Sequence, residues 1–396
     1  MRKITLDTER HHKSPKKKRK FLALAALGIL VVLILWSNFS SSSSVFNYVF
    51  SGGSSIKQTD GRVNILLLGI GGGNHDGADL TDSIIVASYN LKTNEVTMFS
   101  VPRDVWLPGI KQKVNAAYEM GKAQGNGLQF AGDKIDDILG IPIHYEVLMD
   151  FAGFSKAIDL IGGVDVSVPN TFDDFEYPID GKENDLCGWK EDVRDLNADQ
   201  AKALNVPVGK TKLYVDASGK VATDSATLDF GCRYEHIHFD KGVTHMDGTT
   251  ALKFVRSRHA FGVEGSDFAR SKRQQLVIQA FRDKVFSLQT LSNPQKVFSL
   301  IGTFGDSFKT NIPSGQYLEF YNLAKKVKKT NSVVLGDLGN GKSVFYNPPL
   351  SSDYGGAWVL VPQNNNFDLV AGFVHDTLNP TPTPSGSAKP VSTPIP

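Results

Sequence analysis

The chain has 396 residues, 41% of them hydrophobic and 21% charged, with a formal net charge of +2, a normal globular composition that provides for one large domain or two small ones plus appendages. The first twenty residues hold nine Lys/Arg against Asp7 and Glu9, and removing that +7 from +2 leaves −5 for the remainder. The sequence pI of 8.3 therefore belongs to the tail and gives no support to a basic nucleic-acid-binding domain.

After the run Lys16-Lys17-Lys18-Arg19-Lys20, the stretch from Phe21 to Trp36 contains neither charge nor proline, and the next charged residue is Lys57. Extended through Phe39 it would span about 28 Å as a helix, enough for a bilayer core of roughly 30 Å. The small residues Ala23, Ala25 and Ala26 come early in the run, where a signal-peptidase site would not be, so a retained transmembrane anchor is expected. The basic flank (1–20) stays cytoplasmic, which makes the protein single-pass in the cell membrane with everything after residue 40 extracytoplasmic. Residues 40–60 are Ser/Gly-rich and read as a tether. In that oxidising compartment Cys187 and Cys232, the two cysteines of the chain, are expected to form a disulfide.

Folded structure is expected from about Arg62. Val63–Ile70, Ser83–Tyr89 and Glu95–Val101 are continuous apolar runs of strand length. Hairpin chemistry at 90–94 pairs the second with the third, so that opposite residue numbers sum to about 185 and Asp82 meets Arg103. Helices are expected near 115–122, 128–139, 248–254, 268–286 and 316–328. The order Tyr145–Met149 strand, Phe151–Ile161 helix, Val164–Val168 strand reads as a βαβ crossover. The resulting fold class is α/β, an αβα sandwich whose mixed central sheet is covered by helices on both faces, occupying 61–377. Residues 172–240, acidic and glycine-rich with both cysteines, break the rhythm and read as an insertion at the mouth of the site. The segment 378–396 has six prolines and reads as a disordered tail.

From Lys253 to Arg273 six Lys/Arg face two acids. With a helix capped by Ser266 or Asp267, Arg270, Gln274, Val277 and Phe281 share an inward stripe, while Lys272, Gln275, Gln279 and Asp283 take the wet one. Arg256 and Arg258 point the same way if their stretch is extended. Forked donors beside a helix N-terminus suit a polyanion such as a diphosphate. Asp76, Asp79 and Asp82 add carboxylates that suit Mg²⁺ held between protein and phosphate. Gly69–Gly73 is not a nucleotide loop, because Asn74 occupies the last fingerprint position and a strand follows. His236, His238 and His245 read as surface polar residues and not as a zinc site.

Taken in order, the motifs Leu66-Leu67-Leu68-Gly69, Thr81-Asp82-Ser83-Ile84, Ser100-Val101-Pro102-Arg103-Asp104, Lys113-Val114-Asn115-Ala116-Ala117-Tyr118, Gly162-Gly163-Val164-Asp165-Val166, Ala251 through Arg258, and Asp267 through Gln274 closely resemble the LytR-CpsA-Psr family of bacterial cell-envelope proteins. The resemblance covers about Arg62 to Phe286 apart from the insertion. It implies an Mg²⁺-dependent phosphotransferase that moves a glycopolymer phosphate from a polyprenyl-pyrophosphate carrier to a peptidoglycan sugar hydroxyl. The alternatives are a polyprenyl-pyrophosphate hydrolase and a non-catalytic regulator that binds the lipid pyrophosphate. Carried over by motif, Arg103, Arg256, Arg258, Arg270 and Gln274 bind the pyrophosphate; Asp82, Arg103 and Asp267 are catalytic; Lys113, Tyr118 and Arg273 are weaker candidates for the site wall. Two positions depart from the family pattern, with Gly71 in place of an Asp and Leu80 in place of an Arg, and Asp76 or Asp79 would have to supply the missing carboxylate.

Overall fold

A computed structural model of the chain describes residues 56–73, 77–287, 304–338 and 342–380. The basic tail, the expected anchor at 21–39, the tether as far as residue 55 and the tail beyond residue 380 lie outside them. Among the described residues no helix is long and apolar enough to cross a membrane. The chain divides into two compact units, Gly162–Val277 and the remainder.

The first unit begins earlier than Arg62, since Ile56 is buried and the Lys57 amide donates to the Tyr145 hydroxyl at 2.7 Å. Strand β1 (Arg62–Ile70) pairs antiparallel with β2 (Thr81–Asn90), which pairs antiparallel with β3 (Glu95–Ser100). The β2–β3 register runs from Ile85 opposite Ser100 to Asn90 opposite Glu95, so every pair sums to 185 as the hairpin reading requires. The Asn90 side chain fixes the turn by accepting from the Lys92 and Thr93 amides, and Asn94 supplies the left-handed residue at φ 56.

The short pair β4 (Trp106–Leu107) and β5 (Gln112–Lys113) leads into α1 (Ala117–Ala123) and α2 (Gly127–Leu139). Ala131, Ile135, Ile138 and Leu139 place one apolar stripe of α2 on the sheet, against Leu66, Leu68, Val86 and Phe99. At roughly 1.5–3 kcal/mol per large side chain, that stripe rather than helix propensity holds α2 in place. Strand β6 (Tyr145–Asp150) lies parallel to β1, and α3 (Phe151–Leu160) follows it, with the Asp150 side chain capping the Gly153 amide at 2.8 Å.

The second unit opens with β7 (Val164–Val168). The expected crossover is corrected here, because β7 does not return to the main sheet and its ladder partner comes from later in this same unit. β8 (Phe172–Pro178) comes next, followed by β9 (Lys190–Leu196), α4 (Ala198–Leu204), β10 (Gly209–Val215) and β11 (Val221–Ala222), in which β10 is the central strand of an antiparallel three-stranded sheet. Leu196, Ala201 and Leu213 give this segment a small core of its own. β12 (Tyr234–Phe239) pairs with β8, and β13 (Gly242–Met246) pairs with β7. Cys187 and Cys232 are disulfide-bonded with their Cα atoms 5.6 Å apart. Two helices, α5 (Gly248–Arg256) and α6 (Asp267–Ser287), complete the unit, the division falling inside α6.

Returning to the first unit, β14 (Phe308–Thr310) borders β6, α7 (Tyr317–Lys326) follows, and β15 (Lys329–Val334) pairs parallel with β3. The mixed sheet therefore has the order β14-β6-β1-β2-β3-β15. A small hairpin of β16 (Phe345–Tyr346) and β17 (Val361–Pro362) precedes α8 (Asp368–Leu378), whose Val370, Val374 and Leu378 join the α2 core. Gly140, in the left-handed conformation at φ 65, ends α2, and a Cβ there would lie 2.6 Å from Ala371 of α8. On the opposite face Tyr145 meets Phe320 of α7 edge-on at 4.8 Å. Helices thus lie on both faces of a central mixed sheet.

Candidate functional site

Two cation-rich clusters carry the residues singled out in the sequence, one in each unit. In the first unit the hairpin register continues past the ladder, and Arg103 Nη1 donates to Asp82 Oδ1. Asp104, buried, receives Lys113 Nζ at 2.7 Å and lies 3.5 Å from Arg103 Nε, which links Lys113, Asp104, Arg103 and Asp82 in one charged chain. The Asn115 amide donates to the Arg103 carbonyl at 3.2 Å and Thr81 Oγ1 donates to the Asn115 carbonyl at 3.2 Å, so neighbouring motifs brace the arginine's backbone. Asp104 was not singled out as a site residue, although its place between Arg103 and a nearby Lys-rich turn was the available signal.

Of the acids expected to flank the anion site, Asp82 is the one that pairs with Arg103. Asp76 lies outside the described residues, and Asp79 receives Lys122 Nζ at 2.6 Å. Among the described residues the only close group of three potential ligands is Asp185 with Cys187 and Cys232, whose sulfurs are bonded to each other. Asp82 nevertheless offers a partly exposed carboxylate, and Mg²⁺ needs only one or two of these when phosphate oxygens and water complete its shell. Asp150, at the end of β6 opposite Ile70, is a carboxylate that sequence reasoning missed. A Cβ on Gly72 would fall 2.8 Å from Asp150 Cβ, so the glycine turn leaves room for this side chain. Tyr118 is buried in the α2 core, where desolvation pushes its hydroxyl up, and so serves packing.

In the second unit Ser266 is the helix cap, its Oγ accepting from the Ala269 amide at 3.1 Å. Asp267 Oδ1 lies 3.0 Å from Arg258 Nε and 2.9 Å from Arg270 Nη1. One carboxylate therefore sets the direction of two guanidinium groups, one of them buried. Arg256 is the last residue of α5 and is not in extended chain; its Nη1 is 3.2 Å from Asp180 and its guanidinium lies 5.7 Å from the Tyr177 ring. Burial pushes the Tyr177 hydroxyl up to about 12. The inward stripe is corrected in two places: Arg273 and Gln275 are buried, whereas Gln274 is only half-buried.

Arg273 is a strut. Its Nε donates to the Phe254 carbonyl at 2.9 Å, Nη2 to the Ser257 carbonyl at 2.6 Å, and Nη1 to the Glu264 carbonyl and carboxylate at 2.8 and 3.0 Å. It thereby occupies orphan carbonyls at the end of α5 and fixes the loop that carries Arg258. The histidines behave as surface polar groups: His236 and His238 share Asp173, and His245 pairs with Asp165 at 2.8 Å.

The LytR_cpsA_psr family model matches residues 37–347. The polyisoprenyl-teichoic acid–peptidoglycan teichoic acid transferase TagU of Bacillus cereus is 27% identical over 322 residues, 77% of this chain and 82% of that one. The corresponding transferase TagV of Bacillus subtilis is 27% identical over 68% of this chain, which spans just over half of TagV, 56%. The crystal structure of TagV superposes with a TM-score of 0.51 at 24% identity, over 82% of this chain and all of that one, a likeness of fold. With a match across most of its length, the chain belongs to the LytR_cpsA_psr family.

Proposed function

We propose that the protein is a membrane-anchored, Mg²⁺-dependent transferase acting outside the cell, which takes a glycopolymer phosphate from a polyprenyl-pyrophosphate carrier and joins it to a peptidoglycan sugar hydroxyl. The observation that carries this reading is the shared carboxylate of Asp267, which presents Arg258 and Arg270 as a pair of oriented forks. Phosphoryl transfer asks the protein for charge neutralisation and positioning more than for covalent chemistry, and oriented guanidinium groups supply both. Family membership and curated relatives named as teichoic acid transferases support the same substrate class.

In this scheme the acceptor hydroxyl attacks the phosphorus that bears the glycopolymer. A new P–O bond forms to the acceptor sugar, the bond to the polyprenyl phosphate breaks, and the carrier leaves as its monophosphate. Asp82 takes the hydroxyl proton, with Asp267 as the second candidate base. Arg103, Arg256, Arg258, Arg270 and Gln274 are assigned to the diphosphate by motif, while Arg273 is left out because protein acceptors use its donors. Mg²⁺, when bound at Asp82, would supply further charge neutralisation on the phosphate oxygens.

The test is to incubate the full-length protein in detergent with lipid-linked glycopolymer and peptidoglycan oligosaccharides, with and without Mg²⁺, and to weigh the products. Glycopolymer joined to the oligosaccharide through a phosphodiester supports the reading. Free glycopolymer phosphate in solution indicates a hydrolase, and no turnover with intact binding indicates a regulator.

A further inference from the structure

The exposed face of the antiparallel β8–β12 pair carries an aromatic arrangement that phosphoryl transfer does not use. Strand β8 contains a bulge: Tyr177 pairs with Glu235 and Asp174 with Ile237, so Phe175 and Glu176 together oppose His236. The extra residue turns two successive side chains outward, the kind of re-aiming that bulges provide. Phe175 lies flat on His236, ring centroids 4.1 Å apart and planes 4° apart. Phe261 stands beside it at 5.8 Å and 59°. Yet Phe175 is 51% exposed and Phe261 77% exposed.

This cluster is rigidly built. The wholly buried Asp174 carboxylate accepts from Ser257 Oγ at 2.7 Å and from the Arg258 and His259 amides at 3.2 and 3.1 Å. The Phe261 amide donates to the Asp173 carbonyl at 3.3 Å, and Ala260 bridges to Asp174. The loop is thus tied to β8, and Phe261 is held against Phe175 before any ligand arrives. Beside the rings, Asp173 accepts from His236 at 2.7 Å, and the Glu176 carboxylate lies 3.5 Å from His259.

We propose that Phe175, His236 and Phe261 form a platform that binds the saccharide acceptor, a neutral N-acetylhexosamine chain, with Asp173, Glu176 and His259 taking its hydroxyl and amide hydrogens. The electron-rich faces of aromatic rings attract the weakly positive C–H face of a pyranose, and carboxylates are strong acceptors for sugar hydroxyls. The acidic rim selects among occupants. An anionic bilayer or a phosphate-rich polymer would meet like charge there, whereas an uncharged glycan meets none. The platform rests on the transferase reading for the acceptor's identity and on the geometry of the β8–β12 pair for its place.

Full-length protein in detergent, titrated by calorimetry with a linear N-acetylglucosamine pentamer and separately with geranylgeranyl pyrophosphate, provides the test. The double variant Phe175→Ala/Phe261→Ala, both surface positions, is expected to bind the pentamer about tenfold or more weakly, the equivalent of roughly 1.4 kcal/mol, with an unchanged melting temperature. Phe175→Trp keeps a flat face and is expected to retain binding. Pyrophosphate affinity stays the same in every variant. Wild-type protein that ignores the pentamer, or a double variant that binds it as wild type does, overturns the platform, as does a loss confined to the pyrophosphate titration. Ring-dependent pentamer binding in a protein that does not bind the pyrophosphate leaves the platform standing and removes the transferase reading.

Discussion

Replacing Arg273 with Ala separates scaffolding from chemistry inside the arginine-rich segment. The residue is 1% exposed, its guanidinium lies 4.8 Å from the Phe172 ring, and its donors reach three backbone carbonyls and the Glu264 carboxylate. Removing it leaves Glu264 without this partner and strips the acceptors at the end of α5. Breaking a buried ion pair costs about 3–5 kcal/mol, and each buried acceptor left unmade adds roughly 1–3 kcal/mol unless water reaches it. Taking the lower figure of about 3 kcal/mol, with roughly 2–4 °C per kcal/mol for a domain of this class, the melting temperature should fall by ~6–12 °C. Arg273→Lys keeps the charge but loses the fork, and should recover less than half of the loss. Thermal melts followed by circular dichroism, alongside Arg258→Ala as a control of unchanged stability, measure this directly. An Arg273→Ala protein as stable as wild type but inactive would refute the strut and return Arg273 to the substrate.

Three further outcomes are expected. Asp82→Asn should lower transfer by about 100-fold or more while the melting temperature stays within ~2 °C, because the site loses its charge and its orientation of Arg103 but no core contact; unimpaired turnover would exclude Asp82. Glu146 is buried on β6, where desolvation pushes its carboxyl up to about 7. Because the folded value is raised, its stabilising contribution is complete below about pH 4.5 and is lost as pH rises through 7, and roughly 3 kcal/mol is at stake. Glu146→Gln should therefore flatten the fall in stability between those values, and a parallel pH profile would contradict it. The Cys187–Cys232 bridge spans a sequence separation of 45 residues, so reduction, or serine at both positions, should destabilise the second unit by about 4 kcal/mol on the chain-entropy estimate; identical denaturant midpoints with and without reductant would refute that.

What the sequence made legible follows from which forces act locally. The apolar runs of β1, β2 and β3 and the Asn90 turn are local signals, and the pairing sum of 185 followed from them. The helix expected near 128–139 is α2. By contrast β15 is Lys329-Thr330-Asn331-Ser332-Val333-Val334, too polar to read as a strand, and it forms because β3 offers an open parallel edge. β7 had the right pattern but a distant partner, β13, which periodicity cannot name. Within the site, Asp82 with Arg103 follows from register, whereas Asp267 beside Arg258 and Arg270 is a contact that the structure supplies. Arg273, a weaker candidate carried over by motif, donates to three backbone carbonyls, and a motif alone does not distinguish that from facing a ligand.

The most direct measurement of the central claim is the affinity of the full-length protein for geranylgeranyl pyrophosphate, compared with Arg103→Ala and Arg258→Ala at several salt concentrations. If these arginines hold a diphosphate, each substitution weakens binding by about tenfold to a hundredfold and reduces its salt dependence, with melting temperatures preserved. Equal affinities and equal salt slopes for all three proteins would contradict the account.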